Sequence, residues 1–256
     1  MSDRILAIDA GNTRVKWGIN IDGAWLHRGA VATADISRQT QLRDLLKVQE
    51  VDHVVVSNVA GVAVARAITE LVESIGKAAD FIAACARQCG VVNGYDEPSR
   101  LGCDRWAALI AAHMAAPAIP APKLVVMAGT ALTIDTLTAD GHFLGGVIVP
   151  GARLMRSALN NATAQLPLPE GIYQAFPTNT DDAITSGTIA ACAGAIASQY
   201  AQVTSKVGSS PHCIASGGGM QELVAHLPFP VSINDNLVLD GLLAIARSRN
   251  SAPQDC

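Results

Sequence analysis

RILAIDAGNTRVKWGINI, residues 4–21, reads as strand, tight turn, strand: an apolar run from Arg4 to Ala10 stops at Gly11-Asn12-Thr13, and the pattern resumes from Val15 to Ile21. Asp22-Gly23 then signals a hairpin into a third run, Ala24 to Ala32, so an antiparallel meander opens the chain. Beyond it the pattern predicts a helix from Ser37 to Gln49, a strand at His53 to Ser57, a helix across Val62 to Ile75 and a short strand near Phe81. That alternation belongs to a sheet covered by helices. The opening then recurs. Lys123 to Ala128 and Ala131 to Thr138 form a second strand, turn, strand unit, and Asp140-Gly141 leads into a third run ending at Val149. Aligning Ala7-Ile8-Asp9-Ala10-Gly11 with Val125-Val126-Met127-Ala128-Gly129 puts two apolar-apolar-x-Ala-Gly turns at equivalent points, a short match that suggests a duplicated unit without establishing it.

Between the two units, alanine-rich Asp104 to Met114 favours helix, and Pro117, Pro120 and Pro122 mark a boundary. The expected domains are residues 1–116 and 117–256. Later signals are helical at Ala152 to Asn160 and from Thr180 to Val207; a strand at His212 to Ala215 meets Ser216-Gly217-Gly218-Gly219, and Leu237 to Arg247 closes as a helix capped by Asn234 or Asp235.

Composition narrows the function classes. Half of the 256 residues are hydrophobic, 16% are charged and mean hydropathy is +0.29, which excludes global disorder. An aromatic content of only 4% argues against an all-β sandwich. A net charge of -4 without a polybasic run is the wrong sign for direct nucleic-acid binding, and none is expected. The most apolar stretches, such as Ile189 to Ala197, fall short of the roughly 20 residues of a membrane span. The N-terminus lacks signal-peptide regions, so a cytoplasmic protein away from membranes is expected. Cys85, Cys89, Cys103, Cys192, Cys213 and Cys256 form no CxxC pair and read as small buried hydrophobes. Cys85 and Cys89 would share a helix face, but companion ligands are missing and no structural metal is expected.

No GxxxxGK[ST], GxGxxG or GxSxG pattern occurs. What remains is a set of glycine turns at strand ends: Gly11-Asn12-Thr13, Gly129-Thr130-Ala131, Gly145-Gly146, Pro150-Gly151 and Gly217 to Gly219. Such turns let backbone N–H groups approach an anion, and a neighbouring threonine adds a donor; equally, hairpin glycines can serve φ > 0 alone. Asp9, at the end of an apolar strand, fits a Mg²⁺ or phosphate-edge role or a turn cap. Asp104 fits a helix N-terminal charge or cap, and Asp135 a strand-end ion-pair partner.

Ile8-Asp9-Ala10-Gly11-Asn12-Thr13 with Lys16-Trp17, Tyr95…Pro98…Leu101-Gly102-Cys103-Asp104-Arg105, Ala128-Gly129-Thr130-Ala131-Leu132-Thr133-Ile134-Asp135, Gly145-Gly146…Pro150-Gly151 and Asn179-Thr180…Ala183-Ile184 together resemble the type III pantothenate kinase family, in the family's order and over nearly the whole chain. The resemblance implies the α/β fold of the acetate and sugar kinase, Hsp70 and actin superfamily: two similar actin-like (ribonuclease H-like) domains, mixed sheets flanked by helices, and a nucleotide cleft between them. It implies a homodimer that phosphorylates pantothenate with ATP and Mg²⁺. By position, Asp9, Gly11, Asn12, Thr13, Arg14, Val15 and Lys16 resemble the first phosphate motif, with Asp9 toward the metal. Gly129, Thr130 and Ala131 resemble the second, and Gly217 and Gly218 the adenosine motif. Tyr95, Gly102, Asp104 and Arg105 match the pantothenate segment, with Asp104 as general base, and Thr180 resembles a contact supplied across the dimer. Met127 stands where the family carries Asp. A thioether is no ligand for a hard cation, so a K⁺ or NH₄⁺ site is expected to be weakened. The same residues leave open a kinase of another small hydroxyl or acid, and a non-catalytic regulatory protein.

Overall fold

The computed structural model describes residues 3–38, 40–115, 120–162 and 171–251. The chain runs β1 (Arg4–Ala10), β2 (Arg14–Ile21), β3 (Ala24–Ala32), α1 (Thr40–Val48), β4 (His53–Asn58), α2 (Val62–Glu73), β5 (Ala79–Phe81), the short pair β6 (Arg87–Gln88) and β7 (Val91–Val92), and α3 (Cys103–Met114). It continues with β8 (Lys123–Ala128), β9 (Ala131–Leu137), β10 (Phe143–Pro150), α4 (Ala152–Ala162), α5 (Thr180–Val207), β11 (His212–Ser216), α6 (Met220–Leu223), β12 (Val231–Ile233) and α7 (Leu237–Ser251).

Two sheets carry the same plan, β3-β2-β1-β4-β5 and β10-β9-β8-β11-β12. In each, the first three strands form an antiparallel meander and the last two add in parallel. The duplication suggested by two short turns is therefore present strand for strand. Corresponding rungs lie at matching places: Ala30–Lys16–Asp9–Ser57 in the first sheet and Ile148–Thr133–Met127–Ser216 in the second. Side chains alternate across a sheet, so each rung presents its four residues on one face.

In the first unit, the opposite face carries Leu6, Ile8, Val15, Trp17 and Val56 into a core with Ile68 and Leu71 of α2. The rung face is covered by α3 and α7. Because α3 is enclosed on all sides, Arg105 through Ala112 are all buried, which suits its alanines. In the second unit Leu124, Val126, Leu132 and Ile134 pack against Ile189, Cys192 and Ile196 of α5. Asn179 caps α5 by accepting from the Asp182 N–H at 2.9 Å, and Gly208 ends it in the left-handed region, φ 79°.

The compact units are residues 1–115 with 236–256, and residues 116–235. The expected second domain, 117–256, is corrected at its C-terminal end. Leu237, Leu242 and Ile245 of α7 are buried, Gly241 lies against the Ala107 backbone of α3, and Trp25 Nε1 donates to Asp240 Oδ1 at 2.9 Å. Arg247 donates to Asp3 at 3.2 Å and to Asn20 Oδ1 at 3.1 Å. The proline boundary at 116–117 lies outside the described residues, as does Cys256. Cys85 and Cys89 share no helix face: Cys85 lies between β5 and β6, and Cys89 sits in the β6–β7 turn at φ 49°.

Candidate active site

In the first unit the turn after β1 is tied at both sides. Gly11 N–H donates to the Arg14 carbonyl at 3.1 Å, Thr33 Oγ1 donates to the Gly11 carbonyl at 2.7 Å, and Thr33 N–H donates to the Thr13 carbonyl at 3.0 Å. Asn12, Thr13 and Arg14 are exposed on this turn. Val15 is not: its side chain is fully buried in the core, which leaves only its backbone for a ligand. Lys16 pairs in register with Asp9. Burial pushes the Asp9 carboxyl from 3.8 up to about 7; the nearby Asp104 charge adds to this and Lys16 opposes it. The charges of Lys16 and Asp104 thus both act on Asp9 at the C-terminal end of β1.

Asp104 occupies the first turn of α3, behind Gly102, which supplies no side-chain cap. A side chain at 102 would reach within 2.6 Å of Asp104 Oδ1, so glycine there leaves space for the carboxylate. Oδ1 accepts from the Arg105 N–H at 2.8 Å. Arg105, only 6% exposed, donates to the Tyr95 hydroxyl at 2.8 Å and lies 5.6 Å from that ring's centroid. The preceding loop is held by the buried Asn93, which accepts from the Tyr95 N–H at 3.0 Å and donates to the Pro98 carbonyl at 3.1 Å. Tyr95, Gly102, Asp104 and Arg105 therefore form one ordered segment.

Ser57 and Asn93 were not among the expected residues. Neither residue type, in a loop or at a strand end, carries a motif signal of its own.

In the second unit Gly129 N–H donates to the Ala131 carbonyl at 3.0 Å and Gly151 N–H to the Thr130 carbonyl at 2.9 Å. A Cβ at 151 would collide with the Gly129 carbonyl oxygen, so only glycine lets α4 start against this turn. Gly217, at φ 99°, packs on Ala128, and Gly219 N–H donates to the Ala128 carbonyl at 3.1 Å. The sequence-predicted turns at Gly129–Ala131, Gly151 and Gly217–Gly219 thus meet around the end of β8. Met127 lies beside Thr133, whose hydroxyl is buried without a hydrogen-bond partner. Thr180 opens α5 and lines a groove of about 1160 Å³ with Pro150, Leu154, Met155 and Ile184. Asp135 is buried on β9. Among the described residues no group of three or more His, Cys, Asp or Glu could hold a metal, and no helix is long and apolar enough to cross a membrane.

A solved Campylobacter jejuni structure assigned to the Baf family of transcriptional activators matches with a TM-score of 0.58 at 19% identity, covering 96% of this chain and 100% of that one. A glucokinase from an Antarctic psychrotroph matches with a TM-score of 0.50 at 11% identity, covering 96% and 99%. At these identities the likeness concerns the fold alone, two repeated mixed sheets flanked by helices. In sequence, the family model for type III pantothenate kinase matches residues 5–202. The type III pantothenate kinase of Aromatoleum aromaticum is 46% identical over 252 residues, 97% of this chain and 100% of that protein. The chain belongs to the type III pantothenate kinase family.

Proposed function

We propose that this chain transfers the γ-phosphoryl group of ATP to the terminal hydroxyl of pantothenate, the first step of coenzyme A synthesis, in the cytoplasm. The observation that carries this reading is the gathering of Asp9, Lys16 and Asp104 beside the ordered Tyr95–Arg105 segment. Asp104 Oδ1 is engaged by the Arg105 N–H. Its second oxygen takes the proton of the attacking hydroxyl, and Arg105, fixed by Tyr95, holds the pantothenate carboxylate or the transferring group. In the first unit the Gly11–Thr13 turn is assigned to phosphate binding, with Lys16 adding charge, and in the second unit the turns Gly129–Ala131 and Gly217–Gly218 are each assigned to nucleotide binding.

A divalent ion fits the first unit on chemical grounds. Burial first, and then the nearby Asp104 charge, raise the Asp9 pKa, so a cation would favour its ionised form, and hard oxygen donors suit Mg²⁺. Asp9 would hold the ion, which when bound would supply positive charge to offset that of the phosphates. The Met127 rung offers a thioether and two hydroxyls, Thr133 and Ser216, and does not fit a hard monovalent cation. Accordingly, omitting K⁺ and NH₄⁺ should change kcat little, and Met127→Asp should make turnover depend on K⁺. A strong K⁺ requirement that the substitution leaves untouched would count against this.

The groove beside Thr180 supports a homodimer. Its lining is apolar, and Leu154, Leu159, Ile172 and Phe176 are exposed around that part of the unit. Thr180 would complete the partner's pantothenate site. Sedimentation at assay concentrations should show a dimer; a fully active monomer would remove Thr180 from the site.

The deciding experiment is purified protein with Mg-ATP and pantothenate, monitored for phosphopantothenate with and without K⁺ or NH₄⁺. Phosphorylation of sugars or other small acids, with no pantothenate product under any condition, would replace this reading.

A further inference from the structure

We infer that Ser57 is a positioning residue for Asp104, acting through the Cys103 thiol; the inference rests on the kinase reading above. Ser57 is fully buried near the end of β4, in register with Asp9 and on the same face of the sheet. Its Oγ lies 3.4 Å from Cys103 Sγ, within hydrogen-bonding reach for sulfur. Cys103 is the first residue of α3 and the immediate neighbour of Asp104.

The helix start needs such an anchor. Its cap position is Gly102, which has no side chain to accept from the first-turn N–H groups, and Asp104 spends Oδ1 on its own neighbour. The sulfur of Cys103 gathers what the cap does not. It faces the Ser57 hydroxyl, the Asn58 N–H from the end of β4 and the Asp104 N–H from the helix itself. Burial meanwhile pushes the thiol up and keeps it neutral, which suits a packing and hydrogen-bonding part more than a nucleophile. One buried sulfur therefore joins the strand that flanks Asp9 to the helix that carries Asp104. Moving that junction moves the base relative to Asp9.

The matching rung of the second sheet sharpens the point. Ser216 occupies the place of Ser57, but the residues after it are Gly217–Gly219 and the short helix α6, whose first-turn acid, Glu222, is paired with Arg156 at 2.8 Å. The serine is repeated, whereas the contact to a cysteine that opens an acid-bearing helix is described in the first unit.

The test is a double-mutant cycle of Ser57→Ala and Cys103→Ala, read by steady-state kinetics and Tm. A displaced base costs turnover rather than nucleotide binding, so each single variant should lower kcat about tenfold with the KM for Mg-ATP within about twofold. Because both act through one contact, the double variant should lose no more than the worse single variant. Cys103→Ser returns a partner for the Ser57 hydroxyl and should recover kcat to within about threefold of the parent; it also serves as the reporter if an alanine variant fails to fold. Parental kcat in the single variants, losses that multiply in the double variant, or no recovery in Cys103→Ser would overturn the inference. An unmodified chain that does not phosphorylate pantothenate overturns the kinase reading and the inference together, whereas unresponsive variants of an active chain overturn the inference alone.

Discussion

Asp104→Asn is expected to lower kcat by about 10²- to 10⁴-fold, the range typical of a lost general base, with Tm and Mg-ATP affinity close to those of the parent. The geometry separates the two parts this residue could play. As a helix-terminal acceptor, Asp104 uses Oδ1 toward the Arg105 N–H at 2.8 Å, and an asparagine carbonyl oxygen can occupy that place. Gly102 leaves the same space for either side chain. As a base, Asp104 needs a second oxygen able to take a proton, and the asparagine amide cannot. Loss of the negative charge also relieves Asp9, whose carboxyl Asp104 helps to push up, so nucleotide and metal binding should not weaken. Near-native kcat in this variant would leave Asp104 as a structural acceptor and turn the search for a base to Asp9.

What could be read from the chain depended on whether its cause was local. The 28-residue helix α5 was legible because Asn179, the acids Asp181 and Asp182, and Gly208 mark its ends in the chemistry of the helix termini. The glycine turns were legible for the same reason. The strand Val231–Ile233 was not, since three residues directly preceded by Pro228 and Pro230 show no period. Pattern also identified α7 as a helix without telling which unit it joins, because Trp25, Ala107 and Asp3 lie far away in sequence. The candidate site divides similarly. Asp9, Asp104 and Arg105 stood out by type and motif order. Ser57 gains meaning only from strand register, which places an ordinary serine beside Asp9. Val15 is the converse: its motif position suggested a ligand contact, while alternation along β2 sends its side chain into the core.

Asp9→Asn should uncouple stability from activity, and pH decides the direction. In the folded chain the Asp9 carboxyl titrates near pH 7 instead of 3.8, first because it is buried and then because Asp104 is close; Lys16 relieves only part of this. An acid whose folded pKa is raised contributes its stability fully below the unfolded value and loses it as pH rises through the folded one. The parent without ligand should therefore lose stability between about pH 4 and pH 7 on account of this group. At roughly 1.4 kcal/mol per unit the loss is on the order of a few kcal/mol, reduced by whatever water reaches the half-buried carboxylate. Asparagine has nearly the same shape and no charge to desolvate. The variant should match the parent near pH 4 and melt higher at pH 8, with a flatter Tm profile across the interval. Mg-ATP should reverse the order at pH 8, because a bound cation stabilises the ionised carboxylate of the parent and has no such partner in the variant. Turnover should fall by at least about 10²-fold, the scale of losing one electrostatic contact to a phosphoryl-transfer centre. Melting curves at pH 4, 6 and 8, each with and without Mg-ATP, read the whole pattern. Equal Tm values for the two proteins at pH 8 without ligand would mean that the Asp9 charge is already compensated in the folded chain, and would remove the argument that this carboxylate is held ready for a cation.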